Sequence, residues 1–153
     1  MCLGLRGFSF FLDEAENLNL DLRVMLSSCV PATTLETNGG GVIEAAELAS
    51  LRAHAKALGL AEMMNVPGVV GGDPGILQKL SVFSDTSIDG HCPLVTGQAL
   101  SAYASCGISS CHESSELEEA REKLTKGIAI WIREGSVAKD LQNLIPILNE
   151  ATS

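Results

Sequence analysis

Three residues with metal-binding side chains, Glu62, His91 and His112, each follow a short apolar run of the sequence. They are 29 and then 21 positions apart, with helix-like sequence between them. A carboxylate and two imidazoles suit a divalent transition metal such as Zn, Mn or Fe. Such an ion lowers the pKa of water towards neutrality and so supplies hydroxide. The spacing therefore predicts a metal centre that could serve hydrolysis.

Taken singly, each of the three residues has an ordinary structural explanation. A glutamate at a strand end is usually solvated or caps a helix, and a histidine there is often only hydrogen-bonded. The metal interpretation depends on all three residues together, because they lie at corresponding positions of consecutive βα units. The third histidine, His54, lies in a predicted helix, and we expect no functional role for it.

Two cysteines, Cys92 and Cys111, directly adjoin the two histidines and raise the alternative of a Cys/His zinc site. Adjacent residues of a strand point to opposite faces, so these thiols compete poorly as ligands. They also lack the close CxxC spacing of a structural zinc site. We therefore do not expect them in the metal centre.

The elements that must position the trio alternate between strand and helix. The predicted strands span residues 22–26, 58–61, 88–90, 108–111 and 128–132. Residues 65–74 are expected to form a loop that ends in the helix cap Asp73 and Pro74. The predicted helices span residues 43–57, 74–82, 97–103 and 116–126, and a last helix begins at Ser136. Gly59 is expected to stop the first helix and Thr96 to cap the third. Ser115 and Glu118 are expected to form a capping box at the start of the fourth.

This alternation indicates parallel βα units, although a doubly wound sheet would show the same alternation. The trio favours a barrel, because the carboxyl ends of successive barrel strands converge on one mouth. A complete eightfold barrel usually needs about 200 to 250 residues, and this chain has 153. We therefore predict the α/β class, with a partial TIM-type barrel of about five consecutive βα units.

Composition limits the partners of this chain. The net charge of −9 argues against nucleic acid and anionic membranes, since both require clustered basic residues. No stretch reaches the roughly 18 apolar residues of a membrane span. Arg6 interrupts the apolar start and acidic residues follow it, so we expect no export signal. Five cysteines, an odd number, favour reduced thiols in a soluble cytoplasmic protein.

Several ordered motifs of the chain resemble one enzyme family, the bacterial-type adenine deaminases of the amidohydrolase superfamily. The motifs are Ser-Cys-Val-Pro-Ala-Thr at 28–33, Leu-Ala-Glu-Met-Met-Asn-Val-Pro-Gly-Val at 60–69, Asp-Gly-His at 89–91, His-Glu at 112–113 and Ile-Arg-Glu-Gly-Ser at 132–136. The resemblance runs from about Phe11 to Leu148. It implies a metal-dependent barrel domain over residues 11–153, after an atypical segment of residues 1–10. It also implies a small purine substrate, with adenine hydrolysed to hypoxanthine and ammonia.

The same resemblance assigns roles to individual residues. Glu62 would be the carboxylate after barrel strand four, bridging two metals, with His91 the ligand after strand five and His112 the ligand after strand six. The resemblance implies Mn or Fe, with Zn as an alternative, and hydroxide attack on the purine carbon that bears the amino group. Arg133 and Glu134 match a family signature near the site and are candidate substrate-site residues.

Some family features have no counterpart in these 153 residues. They are a His-x-His pair after the first strand and a catalytic aspartate after the eighth, so no catalytic residue is assigned. Cys111 stands where the family usually has an aspartate. We therefore expect a segment of an adenine deaminase that is incomplete as an isolated chain. The alternatives are a noncatalytic remnant that pairs its open edges with a complementing chain or in a homo-oligomer, and a small metal-binding domain of unrelated function.

Overall fold

A computed structural model describes residues 3–32, 35 and 41–150, with backbone alone at 149 and 150. Cys2 and Thr33 lie outside the described residues. The strands are β1 (Val24–Ser27), β2 (Ala57–Met63), β3 (Ser87–Gly90), β4 (Ser110–Cys111) and β5 (Ala129–Ile130). The helices are α1 (Gly4–Glu16), α2 (Ala45–Arg52), α3 (Val66–Gly71), α4 (Pro74–Val82), α5 (Gly97–Ser105), α6 (Leu117–Thr125), α7 (Leu141–Leu144) and α8 (Ile147–Glu150).

The five strands form one parallel sheet in which their spatial order equals their order in the chain. Leu26 pairs with Leu60, and Leu60 pairs with Ile88. A doubly wound sheet reverses its strand order at a switch point, whereas a barrel wall adds each strand beside the last. The predicted α/β class is confirmed, and the sequential order is that of a partial (β/α) barrel.

The helices cover one face of this sheet. Buried strand residues such as Leu26, Leu60 and Ile88 share one core with Phe83, which directly follows α4, and with Tyr103 of α5. Among the residues that the structure describes, none covers the opposite face, where Leu58 and Trp131 are 52% and 64% exposed. Within the described residues, no helix has the length and apolarity that crossing a membrane requires.

The predicted helix over 74–82 is confirmed as α4, and the Asp73 carboxylate accepts from Ile76 N at 3.0 Å. Residues 65–74 were expected to be a loop, and this is wrong. They contain the short helix α3, because the Asn65 side chain caps Gly68 N at 3.0 Å and a proline occupies its first turn.

Two predicted helix boundaries, the stop at Gly59 and the capping box at Ser115, are also wrong. Helix α2 ends at Arg52, and Gly59 lies inside strand β2. A Cβ at Gly59 would lie 2.2 Å from Ser87 O, so glycine there permits close approach of neighbouring strands. The Ser115 capping box is absent, because α6 begins at Leu117 with Glu116 in the cap position. Glu118 instead pairs with Arg121.

The last predicted helix, opening at Ser136, is wrong in its start and its continuity. Glu134 bridges Lys139 in antiparallel fashion, and helical structure begins only at Leu141. Pro146 separates α7 from α8, since proline cannot donate a backbone hydrogen bond and restricts the residue before it. The predicted first strand, residues 22–26, is found as β1 over Val24–Ser27, so it begins two residues later than predicted. The predicted boundary after residue 10 falls within α1 and stays a prediction.

Candidate metal centre

The structure brings Glu62, His91 and His112 together at the carboxyl edge of the sheet. Glu62 lies near the end of β2, and the histidines directly follow β3 and β4. Glu62 Oε2 is 3.1 Å from His91 Nδ1 and 2.7 Å from His112 Nε2. One potential ligand atom from each residue lies within 4.8 Å of the others, and all three residues are partly buried. This set could hold one metal ion.

Strand register explains the convergence of the two histidines. Gly90 pairs with Cys111 across β3 and β4, so the next residue of each strand is a histidine at the same level. A Cβ at Gly90 would lie 2.7 Å from Ile108 Cγ2 and 2.8 Å from Ser110 O and Tyr103 Oη. Glycine at position 90 therefore lets the strand ends pack closely beneath the imidazoles.

Tyr103 anchors the backbone under His91. This tyrosine is fully buried, and its hydroxyl accepts from His91 N at 3.1 Å while donating to Met63 O. Burial raises the pKa of the Tyr103 hydroxyl, so the group stays protonated at neutral pH. The neutral hydroxyl thus joins the end of β2 to the start of the loop after β3.

Asp89 orients the second imidazole. Its Oδ2 lies 2.9 Å from His112 Nδ1, and its Oδ1 accepts from Ser110 Oγ at 2.7 Å. A carboxylate on one ring nitrogen selects the tautomer that leaves the other nitrogen free to ligate. We did not predict a role for Asp89, although it lies in the Asp-Gly-His motif and two residues before His91 on the same strand.

A third carboxylate, that of Glu113, faces both imidazoles from the loop after β4. Its Oε1 lies 3.9 Å from His91 Nδ1 and from His112 Nε2. Arg133 Nη1 donates to the same oxygen, and Arg133 Nε donates to Asp140 Oδ2 at 2.8 Å. Arg133 therefore reaches the cluster through Glu113, which sequence reasoning also missed.

Glu134, the other candidate from the same signature, has a different environment. Its Oε2 accepts from Leu141 N at 3.3 Å, at the start of α7. The residue is exposed and pairs through its backbone with Lys139. Within the described part of the chain, its recorded contacts support the loop between β5 and α7.

Comparison with known proteins gives the relatives of this chain. No family model matches it. Adenine deaminases from Gluconobacter oxydans, Cereibacter sphaeroides and Rhizobium meliloti are 54%, 51% and 52% identical over 151, 150 and 151 residues. These alignments cover 98% to 99% of this chain. The chain is homologous to one segment of the adenine deaminases. It spans 26% of the length of each of these relatives.

The charges around the two imidazoles favour a cation. The carboxylates of Glu62, Asp89 and Glu113 surround the two imidazoles. Arg133 is paired with Glu113, but it also shares its charge with Asp140. Because carboxylates outnumber guanidinium groups among these described contacts, a divalent ion would relieve their mutual repulsion.

The cysteines beside the histidines lie on the buried side of the sheet. Cys92 and Cys111 are both fully buried, with their sulfur atoms 3.7 Å apart. The Cys92 thiol donates a hydrogen bond to Cys111 Sγ. This hydrogen bond lowers the pKa of Cys111, whereas the same bond and burial raise the pKa of Cys92. Among the described residues, these two buried cysteines pack beside Glu62, His91 and His112 and are not part of the group that could hold a metal ion.

His54 lies apart from the cluster, in the turn after α2. Its Nε2 is 3.6 Å from Asp13 Oδ1 and 3.5 Å from Glu16 Oε1, both on α1. The predicted helical position is wrong, and the contacts are those of a surface histidine that joins α1 to the rest of the segment.

Proposed function

We propose that Glu62, His91 and His112 bind a divalent transition metal in an active site that hydrolyses adenine to hypoxanthine and ammonia. The observation that supports this most directly is Glu62 Oε2 within 3.1 Å of one imidazole nitrogen and 2.7 Å of another. Mn²⁺ or Fe²⁺, with Zn²⁺ as the alternative, would lower the pKa of water there and supply hydroxide at neutral pH. The names of the relatives support adenine as the substrate.

The residues of the chain would prepare this site in two ways. Asp89 holds Nδ1 of His112, so Nε2 faces Glu62. Tyr103 fixes the backbone of His91. The first contact limits rotation of the His112 imidazole, and the second fixes the backbone from which the His91 side chain extends. Both would lower the entropy lost on binding an ion.

Arg133 is our candidate for contact with the substrate, because its guanidinium is partly exposed and lies beside Glu113 at the cluster. Glu134 is a second candidate substrate-site residue only because it lies in the same loop as Arg133. Its carboxylate is engaged by the backbone of Leu141, so its contribution would be to hold that loop.

Catalysis at full rate would require a His-x-His pair and a proton-transfer group in addition to Glu62, His91 and His112. The 153 residues contain three histidines and no His-x-His pair. A proton-transfer group is typically worth about 10² to 10⁴ in rate. We therefore propose that the isolated chain binds metal yet releases ammonia far more slowly than a complete enzyme.

The test compares the purified chain with the variant Glu62→Ala, His91→Ala, His112→Ala after loading with Mn²⁺ or Fe²⁺. The parent should retain metal after gel filtration and the triple variant should not. His54→Ala is the matched control, because it removes the third histidine without touching the cluster, and it should retain metal like the parent. Equal metal retention by the parent and the triple variant, or measurable ammonia release from adenine at the same rate by both, would contradict the proposed site. No release by either protein, with metal retained only by the parent, would favour a noncatalytic remnant that still binds metal.

A second candidate function is a noncatalytic interaction subunit. It is favoured by the open face of the sheet, where a cavity of about 660 Å³ is lined by Met25, Leu58 and Trp131 together with residues of the strand ends. Its partner would be a complementing chain or a second copy. Neighbouring coding sequence that contains the His-x-His and aspartate segments would favour a split enzyme over this remnant.

We also propose a cytoplasmic location, because an odd number of cysteines favours reduced thiols.

A further inference from the structure

A buried ion pair on α6 lies directly behind the ligand cluster. Lys123 is fully buried and Glu119 is 5% exposed, with Lys123 Nζ 2.6 Å from Glu119 Oε1. Lysine and glutamate are almost never buried unless paired, because removing a charge from water is costly. Replacing a buried ion pair by packed apolar residues is often neutral or stabilising, so the contacts that this pair makes matter more for its role than its burial does.

The lysine of this pair holds the segment that bears His112. Lys123 Nζ donates to Glu113 O at 3.0 Å and to Ser114 Oγ at 3.0 Å. It also lies 3.6 Å from Cys111 Sγ. Its contacts therefore flank His112 on both sides in the sequence and tie the end of β4 to α6.

The glutamate of the pair holds the segment that follows His91. Glu119 Oε1 accepts from Leu94 N at 2.7 Å, and Glu119 Oε2 accepts from Ser115 N at 3.5 Å. Leu94 has a positive φ of 60°, a backbone conformation that leucine rarely adopts and that a strong contact must hold in place. One ion pair thus contacts the loops after both β3 and β4.

We propose that Glu119 and Lys123 form a positioning pair that sets the separation of the His91 and His112 imidazoles for metal binding. This inference rests on the proposed metal function and deepens it. The two rings meet edge to face at 5.5 Å between centroids, and each is joined through a short loop to the same ion pair. A change in either loop would therefore move one ligand relative to the other.

Two double variants isolate this role. Glu119→Gln, Lys123→Met keeps an acceptor for Leu94 N and the alkyl volume of the lysine, but it cuts the links to Glu113 O and Ser114 Oγ. Glu119→Gln, Lys123→Gln has the same formal charge and keeps a donor at position 123. The control Glu118→Gln, Arg121→Gln removes an exposed ion pair from the same helix.

Two readouts separate positioning from folding. The first is the dissociation constant and visible spectrum of Co²⁺ bound to the full chain, because the spectrum reports ligand geometry. The second is the nuclear Overhauser effect between the His91 and His112 rings in the metal-free chain. The unfolding midpoint of each variant is measured in parallel.

For Glu119→Gln, Lys123→Met we expect Co²⁺ binding about 10 to 100-fold weaker, as for lost outer-shell contacts, a changed spectrum and a weaker ring-to-ring signal. Glu119→Gln, Lys123→Gln should recover most of the affinity, and the control should match the parent. Unchanged ring contact and unchanged affinity in the folded methionine variant would overturn the proposal, as would equal weakening in both double variants. Loss of folding in either double variant would also overturn it, because the pair would then be merely structural.

Co²⁺ binding and the ring-to-ring signal distinguish failure of the positioning pair from failure of the proposed metal site. If the parent chain binds no Co²⁺, the proposed metal site fails. The ring-to-ring signal still decides the positioning pair, because it is measured without metal.

Discussion

His112 is contacted at both ring nitrogens by carboxylates, Asp89 at Nδ1 and Glu62 at Nε2. The two contacts are not equivalent. Asp89 is also fixed by Ser110, whereas Glu62 faces both histidines from the end of β2. At this scale the orienting group is as important as the ligand, because an imidazole can offer only one nitrogen to a metal in the required direction.

Asp89→Asn should therefore weaken metal binding by about 10 to 100-fold. The asparagine keeps the size of the side chain but removes the anionic acceptor that selects the tautomer of His112. Titration of the chain with Mn²⁺ or Co²⁺ measures this directly. Asp85→Asn, at an exposed aspartate that pairs with Arg52, makes the same change in charge away from the site and should leave affinity unchanged. Equal affinities for the two variants would contradict the orienting role of Asp89.

Strand β3 needs a residue without a side chain immediately before His91. Gly90 is buried, and atoms of Ile108, Ser110 and Tyr103 fill the space that a Cβ would take. Two of these atoms, Ser110 O and Tyr103 Oη, belong to groups held in place by pairing and burial. They cannot move aside without shifting β4 or the anchor of His91.

Gly90→Ala should destabilise the fold by about 1 to 3 kcal/mol, the usual cost of overpacking a well-packed site. Gly71→Ala is the matched control, since nothing lies within 4 Å of a Cβ at the end of α3 and alanine favours helix over glycine. Urea unfolding followed by circular dichroism gives both free energies. A Gly90→Ala variant as stable as the parent would show that the strand ends can separate at little cost.

In the part of the chain that the structure describes, helices cover one face of the sheet and leave the other face open. In a closed barrel the inner face is filled by layers of side chains from all strands. In the described residues the inner face retains a cavity with Leu58 and Trp131 exposed at its wall. An apolar surface of this kind favours association with a second protein surface.

Trp131→Ser should reduce self-association of the chain, because it removes the largest apolar side chain of the open face. Val137→Ser is the control: Val137 is 98% exposed and does not line the cavity. Sedimentation velocity over a dilution series measures both variants against the parent. If Trp131→Ser associates as strongly as the parent, the open face is not the contact surface.

The helix starting at Pro74 and the alternation of strands and helices could be predicted from sequence, because caps, prolines and apolar periodicity act over a few neighbouring residues. The roles of Gly59 and of Glu118 could not. Gly59 resembles a helix stop until the Ser87 carbonyl of the neighbouring strand is known, and Glu118 matches a capping box whose serine lies one residue before the actual cap, Glu116. Such errors arise because identical local signals serve both turns and close tertiary contacts.

The sequence by itself determined the types and spacing of Glu62, His91 and His112 and the strand ends near which they lie. Only the tertiary structure decided what surrounds them: Asp89 on His112, Arg133 acting through Glu113, and the Glu119–Lys123 pair between two loops. The physical reason is that ligands repeat with the βα period, which is visible in one dimension. The groups that orient them come from neighbouring strands and from α6, and their approach depends on strand register, burial and charge, which exist only in the folded chain.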